Sequence, residues 1–342
     1  MKVRQRARDA GIVIGGFSPG THNALTDVPE VRVGHTTLRR PPAVHSGVTA
    51  VVPGNVAPGA ALPAGVFTGN GFGKLVGTTQ LAELGVIETP VVLTSTLSAF
   101  RAADALVTWT LSRPGCEEVQ SVNPVVGECN DGLLSDIRSR PVREEHVLAA
   151  LDGARGGPVE EGCAGGGTGL GALGFKGGIG TASRVLEVAG TPVTAGALVQ
   201  ANFGGTLRLL GTTVTPASLG VPPDPQPRQA EAGSCVIVVA TDAPLDARQL
   251  TRLARRAVFG LARVGAAYGH GSGDYGLAFS VRPGPRPVPD AALDPLFEAV
   301  LDTVEESVLN ALFAATTTTG VHGRTVHALP VSRLPLHRPD HG

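Results

Sequence analysis

Gly233-Ser234-Cys235-Val-Ile-Val-Val-Ala240 is the most strand-like run of the 342-residue chain. From Cys235 onward it is continuously apolar and mostly β-branched, so it predicts a strand covered on both faces and buried inside a layered structure. The residues before it are of the opposite kind. Residues 204–233 hold five prolines and no periodicity after Val214, which predicts a flexible linker. The junction Gly233-Ser234 has two readings. One is an ordinary turn into a strand. The other is self-cleavage: glycine presents no side chain to hinder attack on its carbonyl, and the following serine can add its hydroxyl there and shift the acyl group from nitrogen to oxygen. Water then frees Ser234 as a new N-terminus. Such a residue carries nucleophile and base together, because an α-amino group titrates near ~8.

Other short apolar runs bounded by Gly or Pro lie at 48–52, 90–96, 197–202 and 275–280 and predict further strands. Two helices are expected. Leu250, Leu253, Ala254, Ala257, Val258 and Leu261 recur at helical spacing, with Arg248, Arg252, Arg255 and Arg256 mostly off that stripe, after a start signal at Asp242 and Pro244. Leu296, Val300, Val304, Val308, Leu309 and Leu312 form the stripe of a second helix over 294–315. Strands mixed with helices argue for a layered α/β-type protein.

Composition removes several classes. The chain carries 47 Gly and 27 Pro against 10 Phe, 2 Tyr and 1 Trp, yet 42% of it is hydrophobic, which excludes a disordered tail. Glycine without a three-residue period excludes collagen. Lys and Arg number 28 against 29 Asp and Glu, so a net charge of −1 offers no basic footprint for nucleic acid or an anionic membrane. Four dispersed cysteines, Cys116, Cys129, Cys163 and Cys235, fit a reduced cytosolic setting. The charged N-terminus leads into a short Gly-broken apolar stretch rather than a signal sequence, and no apolar run approaches the ~20 residues that span a bilayer. A cytoplasmic protein without membrane or nucleic-acid partners is expected.

Three further segments invite chemistry. His270-Gly-Ser272-Gly-Asp274 reads as a turn before a strand, or as a relay in which Ser272 passes a proton and Asp274 orients it. It is not the Gly-x-Ser-x-Gly elbow, since His270 stands where the first glycine belongs. Gly169-x-Gly171-x-x-Gly174 has dinucleotide-loop spacing without the flanking strand and helix, and Gly69-Asn-Gly-Phe-Gly-Lys74 lacks the Walker spacing, so neither supports nucleotide binding. The nine histidines form no metal-spaced cluster; His322 and His327 read as solvated loop residues, and no metal or cofactor is expected. Cys235 should point away from Ser234 in an alternating strand and pack in the core.

A set of motifs in order covers nearly the whole chain: Asn23-Ala-Leu-Thr-Asp-Val-Pro-Glu-Val-Arg-Val-Gly-His35, Pro63-Ala-Gly-Val-Phe67, Pro124-Val-Val-Gly-Glu-Cys-Asn-Asp-Gly132, Gly165-Gly-Gly-Thr-Gly169, Gly174-Phe-Lys-Gly-Gly-Ile-Gly-Thr-Ala-Ser-Arg184, Leu198-Val-Gln-Ala-Asn-Phe203, Gly233-Ser234, Ala240-Thr-Asp-Ala-Pro-Leu245 and Thr325-Val-His-Ala-Leu-Pro330. Together they resemble the DmpA-like L-aminopeptidase/D-esterase/β-aminopeptidase family. The resemblance implies an α+β fold, a four-layer αββα sandwich similar to that of N-terminal nucleophile hydrolases but connected differently. It implies a single domain over 1–342, cut between Gly233 and Ser234 into a large chain 1–233 and a small chain 234–342, and a homo-oligomer of such cut protomers. It further implies roles: Ser234 as nucleophile, Ser272 and Asp274 as its assistants, Asn202 in the oxyanion hole, and Glu128 as partner of the substrate's free amine. Asn130, two residues past Glu128, is expected to line the same pocket. The function implied is a self-processing serine aminopeptidase, amidase or esterase acting on small peptides, amides or esters with a free amino group.

The chain departs from the family pattern at some points. Asp274 stands where the family favours Glu, Ser95 and Leu97 where Asn and His are expected, and Gln80 where an aromatic is common. These bear on substrate preference. Two related activities stay open as alternatives: an oligoamide hydrolase of the nylon-oligomer type, for which Asn-Thr is expected at the cut, and an acyl transferase like the ornithine acetyltransferases, whose nucleophile is Thr.

Overall fold

The computed structural model describes residues 5–222, 233–284 and 286–335. Along the chain run β1 (Val31–Arg40), β2 (Val44–Pro53), β3 (Leu62–Gly71), β4 (Leu75–Val76), α1 (Thr78–Glu83), β5 (Val86–Ile87), β6 (Val91–Ser95), α2 (Ala99–Leu111), β7 (Val125–Cys129) and α3 (Glu144–Asp152). Then follow β8 (Gly171–Ala172), β9 (Phe175–Lys176), β10 (Gly178–Val188), β11 (Thr191–Asn202), β12 (Leu207–Leu209), β13 (Thr212–Val214), β14 (Gly233–Thr241), α4 (Ala247–Arg263), β15 (Ser272–Ser280) and α5 (Asp294–Ala314). Two sheets form, in the orders β1-β2-β6-β7-β4 and β10-β11-β14-β15-β3-β5.

The apolar run that follows Ser234 is an interior strand, as its composition predicts. β14 pairs antiparallel with β11 and parallel with β15. One face of it, Val236, Val238 and Ala240, packs with Leu277 and Phe279 against Val51, Val91, Leu93 and Val125 of the other sheet. The opposite face, Cys235, Ile237 and Val239, packs against Leu250, Leu253 and Ala257 of α4 and Val304, Val308 and Leu312 of α5. Beyond the five-stranded sheet, Val48, Val92 and Val126 meet Ala102 and Leu106 of α2 and Val147 and Leu151 of α3. Helix, sheet, sheet, helix is the four-layer αββα sandwich expected. Each fully buried Val, Leu or Ile in these layers contributes roughly 1.5–3 kcal/mol, which explains how a chain poor in aromatics is held together.

Strand β10 is not legible in the sequence, because glycines and polar residues interrupt it. Both have packing reasons. A Cβ on Gly180 would fall 1.9 Å from the Ser307 carbonyl oxygen, so glycine is what lets α5 lie on this strand. Arg184 is wholly buried, and its guanidinium pairs with the equally buried Glu306 at 2.7 Å and donates to the Ile14 carbonyl at 2.8 Å. A buried charge is tolerated when paired in this way.

Two expectations are corrected. The start of α4 is Asp246, not Asp242 with Pro244: the Asp246 carboxylate accepts the Gln249 N–H at 2.7 Å while the Gln249 side chain accepts the Asp246 N–H at 3.2 Å, a reciprocal cap. Asp242 is occupied elsewhere, accepting the Thr194 N–H at 2.7 Å. The linker expected over 204–233 is ordered through 222, because β12 and β13 form a hairpin and Ala217–Leu219 a 3-10 turn, burying Leu207, Leu209, Val214 and Leu219 in the α4–α5 layer. Proline count and missing periodicity concealed apolar residues set two and five apart. Residues 223–232 of that expectation lie outside the described residues. Among the described residues no helix is long and apolar enough to cross a membrane.

Candidate active site

Three strand ends converge at the Gly233-Ser234 junction. Asn202, the last residue of β11, lies directly across from Ser234, while Gly233 and Ser234 lie beside Ser272 and Gly273 of β15. Alternation puts Ser234 and Asn202 on the face that carries Val236, between the sheets, and Ser272 and Asp274 on the opposite face with Cys235. The two faces come together at Gly233. A Cβ there would sit 3.0 Å from Phe203 Cα, 3.2 Å from the Asn202 carbonyl oxygen and 3.3 Å from Ser272 Oγ, so glycine is what lets these groups close around the peptide.

The Ser234 hydroxyl donates to the Gly233 carbonyl oxygen at 2.6 Å. On the other face, Ser272 Oγ donates to Asp274 Oδ1 at 2.8 Å. Burial holds the Asp274 carboxyl above the ordinary carboxylate range, with the Ser272 hydrogen bond pulling it back. Its Oδ2 has no hydrogen-bond partner among the described residues. Asn202 is fixed at both ends of its amide: Oδ1 accepts the Gly171 N–H at 3.2 Å, and Nδ2 donates to the Asn130 carbonyl at 3.0 Å. An amide nitrogen has two N–H groups, so one remains to serve a further acceptor.

Glu128 lies near the end of β7, in register with Thr94 of β6. Its Oε2 accepts the Thr96 hydroxyl, and its Oε1 accepts the Lys74 N–H at 3.0 Å with the Lys74 ammonium 3.6 Å away. One cavity of about 320 Å³ is lined by Gly233, Ser234, Asn202, Glu128 and Asn130. Ser272 and Asp274 do not line it; they stand behind the same strand end. Lys74, Thr96, Phe72, Leu133 and Arg324 also line the cavity and were not assigned from the sequence. Lys74 entered the sequence reading only as the end of a rejected Walker segment, and Thr96 lies in a segment noted only for its neighbours Ser95 and Leu97. The pairing of Leu75 with Gly127, which carries Lys74 to Glu128, spans some fifty residues and has no local signal.

Ser95 has a visible use. Its hydroxyl donates to Asp131 Oδ1 at 2.8 Å, tying down the loop whose Asn130 carbonyl holds Asn202. Burial pushes the Asp131 carboxyl up to about 6, against the pull of the Ser95 hydrogen bond. A carboxyl raised on folding favours the folded state at low pH, and that advantage is lost as pH climbs from the unfolded value near 4 through about 6. A shift of about two units corresponds to roughly 3 kcal/mol at most. Urea unfolding at pH 4 to 7 should therefore show a shallower decline of stability for Asp131→Asn than for the parent chain; parallel curves would refute the assignment.

All four cysteines are buried and unpaired, Cys235 in the core as expected. Among the described residues no group of three or more His, Cys, Asp or Glu side chains is arranged to hold a metal ion.

Fold and relatives together define the class: this is an enzyme, a serine aminopeptidase of the N-terminal nucleophile hydrolase type. The chain belongs to peptidase family S58, whose sequence profile matches residues 23–326. It is 40% identical to the β-peptidyl aminopeptidase BapA of Sphingosinicella microcystinivorans, over 96% of this chain and 90% of that protein. A β-aminopeptidase of a Burkholderia species superposes with a TM-score of 0.88 at 40% identity, covering 96% of this chain and 97% of that one. The L-aminopeptidase D-Ala-esterase/amidase of Ochrobactrum anthropi, described as a prototype for the serine aminopeptidases with a variant N-terminal nucleophile fold, superposes with a TM-score of 0.84 at 39% identity, covering 96% of each chain.

Proposed function

We propose that this aminopeptidase cuts itself between Gly233 and Ser234 and then releases N-terminal residues from short peptides, amides or esters that carry a free amino group. The observation that carries the reading is the Ser234 hydroxyl lying 2.6 Å from the carbonyl oxygen of the peptide bond it would cut. In the first stage Ser234 Oγ adds to the Gly233 carbonyl carbon, the C–N bond breaks as the nitrogen takes a proton, and water hydrolyses the resulting ester. Gly233 leaves as a carboxylate and Ser234 gains a free α-amine.

In the second stage the substrate's ammonium pairs with Glu128, which sets the acyl carbon before Ser234 Oγ. The hydroxyl proton passes to the α-amine of Ser234 or to Ser272, whose own hydroxyl is oriented by Asp274. Asn202 donates to the oxygen that becomes negative, the amine or alcohol departs, and water frees the acyl-enzyme. A blocked amine would forgo the ion pair with Glu128, which accounts for exopeptidase selectivity. The names of the relatives justify assaying L-α-aminoacyl, β-aminoacyl and D-alanyl substrates side by side. Denaturing electrophoresis of active protein tests the first stage: two chains, 1–233 and 234–342, are expected, and a single band at 34.7 kDa with full activity would refute it.

A further inference from the structure

We infer that Lys74 is a recognition point for a carboxylate on the substrate, so that the enzyme selects an acidic N-terminal residue, with its amine on Glu128 and its carboxylate on Lys74. The inference rests on Glu128 as the amine site. Lys74 is the end of the glycine-rich segment that makes no nucleotide loop, and the fold gives it another place. Antiparallel pairing of Leu75 with Gly127 sets Lys74 at the register position abreast of Glu128. The backbone there has no slack: a Cβ on Gly73 would lie 3.0 Å from both Gly273 Cα and Tyr275 Cε2 and 3.4 Å from Glu128 Oε1.

The charges decide what this position can do. Three charged side chains among the described residues line the cavity: Glu128, Lys74 and Arg324. With Lys74 already beside Glu128, an incoming ammonium would bring a second cation to one carboxylate in a recess where like charges repel more strongly than in bulk water. A substrate carboxylate restores the balance. Lys74 is equipped to receive it. Its ammonium stands 3.6 Å from Glu128, longer than the ~2.7–2.9 Å of a charge-assisted hydrogen bond, it has three N–H groups, and 44% of the side chain is exposed. A neutral N-terminal residue offers that ammonium nothing in exchange for its share of Glu128, which discriminates in favour of an acidic one. N-terminal aspartyl residues, linked through the α- or the β-carboxyl, carry an amine and a free carboxylate close enough together to reach both groups.

The test compares kcat/KM for α-aspartyl, β-aspartyl, alanyl and β-alanyl p-nitroanilides in the parent chain, Lys74→Met and Lys74→Arg. At least one aspartyl substrate should exceed its alanyl counterpart about tenfold in the parent. Lys74→Met should erase that ratio, chiefly through KM, and Lys74→Arg should keep it. A parent that favours the alanyl substrates, or a ratio that survives in Lys74→Met, overturns the inference. An equal rise on all substrates in Lys74→Met also overturns it, since Lys74 would then only compete for Glu128. Calorimetric binding of aspartyl and alanyl amides to Ser234→Ala reads the same ratio without turnover. Rapid cleavage of N-acetylalanyl anilide would instead count against Glu128 as the amine site.

Discussion

Ser234→Ala remains one uncut 34.7 kDa chain and loses aminopeptidase turnover by about 10⁴-fold or more. On the proposed mechanism, removing this hydroxyl takes away the group that attacks Gly233 and the group that attacks substrate. Little else goes with it, since among the described residues its hydroxyl bonds only to the Gly233 carbonyl. The variant should therefore melt close to the uncut parent, and loss of activity can be read as loss of chemistry. Retained hydrolysis would remove Ser234 from the role of nucleophile. A cut chain in Ser234→Ala would move the cleavage chemistry to another group.

Asn202 should show the second large effect. An amide donor aimed at a developing oxyanion supplies about 2.7–4 kcal/mol, so its loss should lower kcat about 10²- to 10³-fold with little change in KM. Alanine is a poor probe here, because it would also remove the hydrogen bonds to the Gly171 N–H and the Asn130 carbonyl, at about 1 kcal/mol of stability for each. Asn202→Asp keeps the acceptor for Gly171 and removes both N–H donors, to the Asn130 carbonyl and to the oxyanion, so its melting temperature is to be read beside its kcat. If this variant turns over at the parental rate, the oxyanion must be held by other groups.

How much of this was legible depends on whether a residue's partner is local. β14 announces itself because four consecutive β-branched residues have no other easy home, and α4 because its leucines and alanines repeat at helical spacing. Ser272 and Asp274 are two apart in one strand, so alternation alone puts them on one face, where they hydrogen-bond. β10 was hidden because Gly180 answers to α5 and Arg184 to Glu306, both more than a hundred residues away. Lys74 and Thr96 were hidden for the same reason, since each is placed by pairing with β7 rather than by its neighbours in sequence. The linker expectation went too far because a short hairpin ahead of the prolines leaves no periodic trace.

The position of β14 has a consequence for the cut molecule. Its partners β11 and β15 lie on opposite sides of the Gly233-Ser234 bond in sequence, and β3 beyond β15 belongs again to the first part of the chain. A break at this bond would leave the sheet, in order, with two strands from one polypeptide, two from the other, then two from the first. Neither piece owns a complete layer. Unfolding would cease to be a unimolecular event and become a dissociation, whose midpoint rises with protein concentration. The uncut precursor folds with all its strands on one tether, so maturation would leave a molecule easier to keep than to rebuild.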